Sequence, residues 1–238
     1  LLAKYSERAV QGIVLGSTAY LIFFMLYPLL GFVFPVAAAL VISLATSALL
    51  LILLVKHPEW YVLDLCGVLI GLGAITLLGI SLNILLVVIL LVGLAVYDAI
   101  SVYQTKHMIT LADVVVDLRL PVVLVIPKIR GYSLIKDKKS LKEKLREGEE
   151  REAFLIGLGD VVMPGILVAS TFSNIAENGL VIALSVMIGT LVGFAALMVF
   201  VLRGKPQAGL PFLCSGAILG YLASSLILFG KPVGLVPV

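Results

Sequence analysis

The stretch LNILLVVILLVGLAVYDAISV, from Leu82 to Val102, is apolar over almost its whole length and contains one acidic side chain, Asp98. A helix needs about 20 apolar residues to cross the bilayer core. Lipid offers no hydrogen-bond partners to a backbone that is not already paired within itself. This stretch is therefore predicted to be a membrane-spanning helix that carries a carboxyl group into the membrane.

Six further apolar runs lie on either side of this stretch. Hydrophobic residues make up 61% of the 238-residue chain and charged residues only 13%, whereas an ordinary soluble domain has roughly a quarter of its residues charged. The sequence predicts an all-α polytopic membrane protein, with residues 1–238 forming a single transmembrane domain. A soluble enzyme, a disordered chain and a disulfide scaffold are excluded. The seven predicted spans are Ile13–Phe34, Val36–Val55, Tyr61–Gly79, Leu82–Val102, Ala153–Ser173, Gly179–Leu202 and Ala208–Gly230.

The basic residues are distributed very unevenly between the two sides that these spans define. When the loops are assigned alternately, 16 of the 17 Lys and Arg residues fall on one side and only Lys231 falls on the other. Cytoplasmic loops of membrane proteins carry such an excess of positive charge. We therefore expect residues 103–152 to form a cytoplasmic loop and the C-terminus to lie on the extracytoplasmic side. Within that loop, Val122–Ile126 is β-branched and bounded by prolines, which predicts a strand.

Three acids lie inside predicted spans, where ionisable groups are costly and usually functional. Asp64 lies near the start of its span, and we expect it to be an interfacial or loop-capping acid. Asp98 and Asp160 lie in consecutive spans, and the span limits put both at about 8–10 Å into the membrane from the same side. Two carboxyl groups that share a proton can act as general base and general acid on a water molecule. Asp98 and Asp160 are therefore predicted to be a catalytic pair.

The residues around this pair form two short motifs. Asp98 directly follows Tyr97, and Asp160 ends the sequence Gly157-Leu158-Gly159-Asp160. With these two motifs the chain resembles the presenilin and signal peptide peptidase family of GxGD intramembrane aspartyl proteases. The resemblance implies a presenilin-like helical bundle, which has nine spans in the family and seven visible here. It also implies that Asp98 and Asp160 are catalytic, and that Tyr97, Gly157, Leu158 and Gly159 support the site.

A third family motif, Pro-Ala-Leu, has a modified counterpart at the start of the last span. Here Ala208 replaces the first proline, Gly209 replaces the alanine, Leu210 is retained, and Pro211 follows. The resemblance implies that Ala208, Gly209, Leu210 and Pro211 bind substrate. Proline is favoured in the first turn of a helix and makes the preceding residue extended. We therefore expect the last helix to begin at Pro211, and residues 207–210 to be non-helical and to offer backbone hydrogen bonds beside the two acids.

The resemblance also implies the partners of the chain. These are transmembrane peptide substrates and the lipid bilayer, and a homo-oligomer is possible. Val122–Ile126 could pair with an extended substrate by strand addition. We expect no metal ion or other cofactor and no nucleic acid. The residues after Asp160 resemble those of signal peptide peptidases, whereas the charge distribution gives the presenilin orientation. The compact size resembles that of a microbial homologue, such as an archaeal one.

Two other functions are compatible with acids inside a membrane. A proton-coupled transporter or ion channel could use Asp98 and Asp160 as a proton relay, although no inverted repeat of the kind found in many transporters is visible. A prepilin-type peptidase also uses a GxGD aspartate but has its first aspartate in a cytoplasmic loop. The position of Asp98 inside a span, after a tyrosine, argues against that enzyme.

Overall fold

The structure is a computed structural model that describes residues 2–57, 59–102, 123–128, 153–201 and 207–235. These residues form seven helices and two short strands, and each helix corresponds to one of the seven predicted spans. The helices are α1 (Leu2–Gly31), α2 (Val36–Lys56), α3 (Trp60–Ser81), α4 (Ile84–Ile100), α5 (Leu158–Asn174), α6 (Gly179–Val201) and α7 (Gly209–Phe229), and the strands are β1 (Val123–Pro127) and β2 (Ala153–Gly157).

The described residues divide into two compact units. The first unit contains α1, α2, the beginning of α3 and the two strands, and the second contains the end of α3 and helices α4 to α7. In the first unit α1 packs against α2, and the hydroxyl of Ser47 in α2 donates to the carbonyl of Ala19 in α1 at 3.1 Å. The core of this unit consists of Ile22, Leu50, Leu54, Val62, Leu63, Cys66 and Val125.

The two strands of the first unit pair with each other in an antiparallel sheet. Val123 lies opposite Gly157, Val125 opposite Leu155, and Pro127 opposite Ala153. The predicted strand over residues 122–126 is thus confirmed with a shift of one residue. Val125 is the buried residue of β1, with 3% of its surface exposed, so its side chain fixes the strand to the core of the unit.

In the second unit α6 and α7 lie so close together that glycine is required where they meet. A Cβ atom on Gly189 would lie 2.2 Å from the carbonyl oxygen of Gly216, and a Cβ atom on Gly216 would lie 2.3 Å from the carbonyl oxygen of Gly189. Cβ atoms on Gly193 and Gly220 would lie similarly close to backbone atoms of the facing helix. Small residues allow such close approach of helices in membranes, where packing is a main source of stability.

Helix α5 is joined to the end of α3 by hydrogen bonds from its side chains. The hydroxyl of Ser170 donates to the carbonyl of Leu82 at 2.9 Å, and that of Ser173 donates to the carbonyl of Gly79 at 3.3 Å. The last carbonyl groups of a helix have no partner within the helix. These serines therefore pair carbonyls that would otherwise be costly to bury in an apolar surrounding.

The chain after α7 folds back on that helix. The hydroxyl of Ser225 donates to the carbonyl of Lys231 at 3.0 Å and accepts from the N–H of Val233 at 2.8 Å, while Tyr221 donates its hydroxyl hydrogen to the carbonyl of Val233. The turn is made by Gly230, whose φ of 68° is in the left-handed region that favours glycine.

Four of the helices are long and apolar enough to cross a membrane: α2, α3, α6 and α7. Two shorter apolar helical stretches, Leu15–Gly31 and Ile84–Ile100, accompany them. Large apolar side chains are exposed on all of these helices, for example Ile13, Leu44, Ile89 and Ile188. This surface is that of an integral, multi-pass membrane protein.

The predicted start of the fifth span was wrong. That span was expected to begin at Ala153, whereas Ala153–Gly157 is strand β2 and the helix begins at Leu158. A short apolar run satisfies a strand and a buried helix equally well, so hydropathy cannot distinguish them. The pairing of these residues with β1 decides the matter. The rest of the predicted loop, residues 103–122 and 129–152, lies outside the described residues.

Candidate active site

Asp98 lies in the last turn of α4 and is buried, with 4% of its surface exposed. Its Oδ2 atom accepts a hydrogen bond of 3.1 Å from the backbone N–H of Leu210, and the N–H of Gly209 also interacts with this carboxyl group. Both donors belong to the first turn of α7. The end of α4 and the start of α7 therefore meet at Asp98.

The local sequence explains why α7 needs this partner. The first N–H groups of a helix have no acceptor within it, and a side chain at the N-cap position usually supplies one. Here the N-cap residue is Ala208, which has an extended backbone (φ −72°, ψ 125°) and no side-chain acceptor. Asp98 supplies the acceptor from another helix, and the positive end of the α7 dipole favours its negative charge.

Asp160, in the second of the two sequence motifs, approaches the same turn of α7. It is the third residue of α5 and is half-buried. A Cβ atom on Gly209 would lie 3.1 Å from its Oδ2 atom, so the side-chain position of Gly209 faces this carboxyl group. Asp98 is also close enough to Asp160 for their negative charges to repel each other. The structure thus brings the two predicted acids together at residues 209 and 210.

The positions of the two acids within their helices differ from the predicted ones, and their depths in the membrane stay predictions. Asp98 was expected about five residues before the end of its helix and Asp160 about seven residues after the start of its own. In the structure Asp98 lies two residues before the last residue of α4, Ile100, and Asp160 lies in the first turn of α5. For Asp98 the backbone stays helical at residues 101 and 102, and for Asp160 the difference arises because β2 occupies the residues assigned to the start of α5.

The four supporting residues occupy different environments. Leu158 is the first residue of α5 and is buried, whereas Gly157 is the last residue of β2. Gly159 is exposed, and a Cβ atom there would meet open space. Tyr97 directs its side chain outward, with 71% of its surface exposed. Their supporting roles stay predictions.

The modified Pro-Ala-Leu segment lies beside the acids, but more of it is helical than expected. Residues 207–210 were predicted to be non-helical, yet Gly209 and Leu210 are the first two residues of α7. Pro211 is the third. A proline is tolerated there because the first-turn N–H groups lack intrahelical acceptors in any case, and Asp98 pairs the N–H of Leu210 from outside the helix. Only residues 207 and 208 are outside the helix.

The sequence patterns did not point to one residue near the two acids. Cys214 is fully buried and close enough to interact electrostatically with both Asp98 and Asp160. It follows Leu210 by four residues, and this helical spacing to the predicted substrate-binding motif could have revealed it. Asp64, expected to cap a loop, accepts a hydrogen bond of 2.7 Å from the N–H of Val125 in β1.

Two neighbouring carboxyl groups that face the same backbone turn can perform acid–base chemistry on water. One carboxylate accepts a proton from water, while the other, in its protonated form, donates a proton to the group under attack. Within the ranges that the structure describes, no three His, Cys, Asp or Glu residues form a group suited to a metal ion. Such an arrangement is suited to the acid–base chemistry of an aspartyl protease.

Comparisons with known proteins agree with this chemistry. The profile of the family described as "Signal-peptide peptidase, presenilin aspartyl protease" matches residues 3–230. Two solved structures of a presenilin family intramembrane aspartate protease, in space groups C222 and P2, resemble the chain. The first is 35% identical, with a TM-score of 0.60, and the match covers 91% of this chain and 74% of that one. The second is 37% identical, with a TM-score of 0.61, and the match covers 93% and 72%.

No curated protein matches the chain. The family and the solved structures are all intramembrane aspartyl proteases, and they give the alternative of a proton-coupled transporter or channel no support.

Proposed function

The chain belongs to the signal-peptide peptidase and presenilin family of aspartyl proteases and is an intramembrane hydrolase, and from this premise we propose that Asp98 and Asp160 are its catalytic pair. The observation that carries the proposal is that both carboxyl groups face the first turn of α7: the N–H of Leu210 donates to Asp98, and the side-chain position of Gly209 faces the Oδ2 atom of Asp160.

In the proposed reaction the two acids activate one water molecule. One carboxylate takes a proton from the water molecule while the oxygen of that water attacks the carbonyl carbon of the peptide bond. The other carboxyl group protonates the leaving nitrogen when the C–N bond breaks. The two acids titrate as one coupled system, so neither role belongs permanently to one residue. The N–H of Leu210 holds Asp98 in place during these steps.

The substrates we propose are transmembrane helices that unwind locally before they are cut. A carbonyl group inside a helix is already hydrogen-bonded and shielded, so the reacting segment has to become extended. An extended peptide gains backbone hydrogen bonds when it joins the edge of a sheet. The β1–β2 sheet is suited to this task, because β2 ends at Gly157 and the chain reaches Asp160 only three residues later.

The proposed orientation places residues 103–152 in the cytoplasm and the C-terminus on the other side. It rests on the distribution of Lys and Arg along the sequence.

Replacement of either acid tests the catalytic proposal. In detergent or liposomes, Asp98→Asn and Asp160→Asn should each abolish cleavage of a model transmembrane substrate, and the double variant should be no worse than either single one. The thermal unfolding temperature should not fall for Asp98→Asn, because the Asn carbonyl oxygen can still accept from Leu210. Glu177→Gln, which changes an exposed acid in the turn before α6, is the matched control. Activity above a few per cent in either single variant would exclude that residue as a catalytic acid.

A further inference from the structure

Asp64 is an acid in the fifth position of α3 to which the proposed chemistry gives no task. Its Oδ1 atom accepts a hydrogen bond of 2.7 Å from the N–H of Val125. A bond from a backbone amide to a carboxylate is among the stronger hydrogen bonds in proteins. The acid therefore holds the middle residue of strand β1.

The direction of this hydrogen bond shows which edge of the sheet Asp64 occupies. Along a strand, successive N–H groups point alternately to opposite sides. Because the N–H of Val125 points to Asp64, it points away from β2, and the ladder bonds to β2 fall on the intervening residues of β1, Leu124 and Ile126. Asp64 therefore lies at the outer edge of β1, on the side opposite β2.

Pro127 also makes the outer edge of β1 less able to pair with another strand. By the same alternation the backbone nitrogens of Val123, Val125 and Pro127 point away from β2. The nitrogen of proline has no hydrogen to donate. Of the three outward positions in the described strand, one donor is engaged by Asp64 and one is missing. Natural sheets use charged side chains and prolines at their edges to prevent pairing with further strands.

We propose that Asp64 is a positioning residue that closes the outer edge of β1 to extended peptides and so limits the registers in which a substrate can be cut. The inference rests on the proposed protease function. A peptide paired with that edge would be separated from β2, and from the chain leading to Asp160, by the width of a strand, about 4.8 Å. Exclusion from the wrong edge thus selects the register in which the scissile bond is presented.

Product analysis with three variants tests this proposal. Asp64→Leu removes the acceptor and releases the N–H of Val125, so the ratio of secondary to main cleavage products, measured by mass spectrometry, should rise about fivefold, the effect of one backbone hydrogen bond. Asp64→Asn keeps an acceptor oxygen and should give the wild-type products. Ser47→Ala removes a hydrogen bond to Ala19 elsewhere in the same unit and is the control for a general loss of stability.

Disulfide crosslinking locates the substrate directly. A cysteine at the half-exposed position Ile126 should form a disulfide with a substrate cysteine only when the two strands are neighbours, because disulfides need Cα atoms about 4.4–6.8 Å apart. We expect this crosslink in the Asp64→Leu background and not in the wild-type background. The native Cys66 and Cys214 are fully buried and contribute little to the reaction.

Two results would overturn the proposal. Asp64→Leu could give wild-type products and no crosslink, which would make the acid a purely structural group. The cleavage products of Asp64→Asn could be altered as strongly as those of Asp64→Leu. The negative charge, and not the acceptor oxygen, would then be responsible for the choice of cleavage site. If Asp64→Leu does not fold, Asp64→Ser, with a hydroxyl too short to reach Val125, takes its place. A wild-type protein that cuts no transmembrane substrate would instead refute the proposed function.

Discussion

Gly209 departs from the motif of the family at a position that faces a proposed catalytic acid. The family motif has alanine here, and the Oδ2 atom of Asp160 lies 3.1 Å from the place that a Cβ atom would occupy. This distance is shorter than an ordinary van der Waals contact but involves the end of a side chain that can rotate. Glycine therefore leaves the Asp160 carboxyl group room that the family alanine would remove.

A graded series at position 209 should reveal how much of this room is needed. Gly209→Ala requires a shift of a few tenths of an ångström at Asp160, and we expect kcat/KM to fall by less than about tenfold. Gly209→Val adds two methyl groups that the carboxyl group cannot avoid, and we expect a loss of more than about tenfold. Gly16→Ala, where a Cβ atom meets open space, is the control. Equal activity for the alanine and valine variants would contradict the contact.

At the scale of elements, helices α6 and α7 form the most closely packed pair in the second unit. The carbonyl oxygens of Gly189 and Gly216 occupy the positions that Cβ atoms would need. Since backbone atoms cannot move aside as a side chain can, any larger residue has to separate the helices. The pair also includes the first turn of α7, which donates a hydrogen bond to Asp98 and faces Asp160.

Gly216→Ala should therefore destabilise the protein although alanine is the better helix former. We expect a loss of about 1–3 kcal/mol in the free energy of unfolding, the usual effect of overpacking. It can be measured by denaturation in detergent. Gly93→Ala in α4 is a matched control, since a Cβ atom there meets nothing within 4 Å. That variant should be neutral or gain up to about 1 kcal/mol from helix propensity. A neutral Gly216→Ala would mean that α6 and α7 can separate without cost.

The sequence allowed good predictions for those elements whose pattern is unambiguous. The seven helices and the strand β1 follow from apolar length and from β-branched residues between prolines, and the pairing of Asp98 with Asp160 follows from their motifs. The strand β2 could not be predicted, because its five apolar residues, 153–157, are equally suited to a helix. Nor could the hydrogen bond from Val125 to Asp64 be predicted, because it joins residues 61 positions apart and depends on the direction of one N–H group.

For the whole molecule, the distribution of charged residues predicts one orientation in the membrane. The positive charges predict that the loop with Ser140 is cytoplasmic and that the turn with Glu177 is outside. Single cysteines at these two positions test the orientation with a membrane-impermeant maleimide. We expect Glu177→Cys to react in intact cells and Ser140→Cys only after permeabilisation. The reverse pattern would mean that the chain is inserted the other way round. A homo-oligomer stays a prediction.

The capping of α7 by Asp98 has a consequence for folding of the chain during its synthesis. The two partners of this hydrogen bond are 112 residues apart, and the donor lies in α7, which is synthesised after both acids. Chains generally fold from the N-terminus during synthesis. A nascent chain therefore already holds both acids while it lacks the amide groups that fix one of them. The proposed catalytic arrangement therefore forms only after α7 has been made, so a protease synthesised among potential substrates stays inert until then.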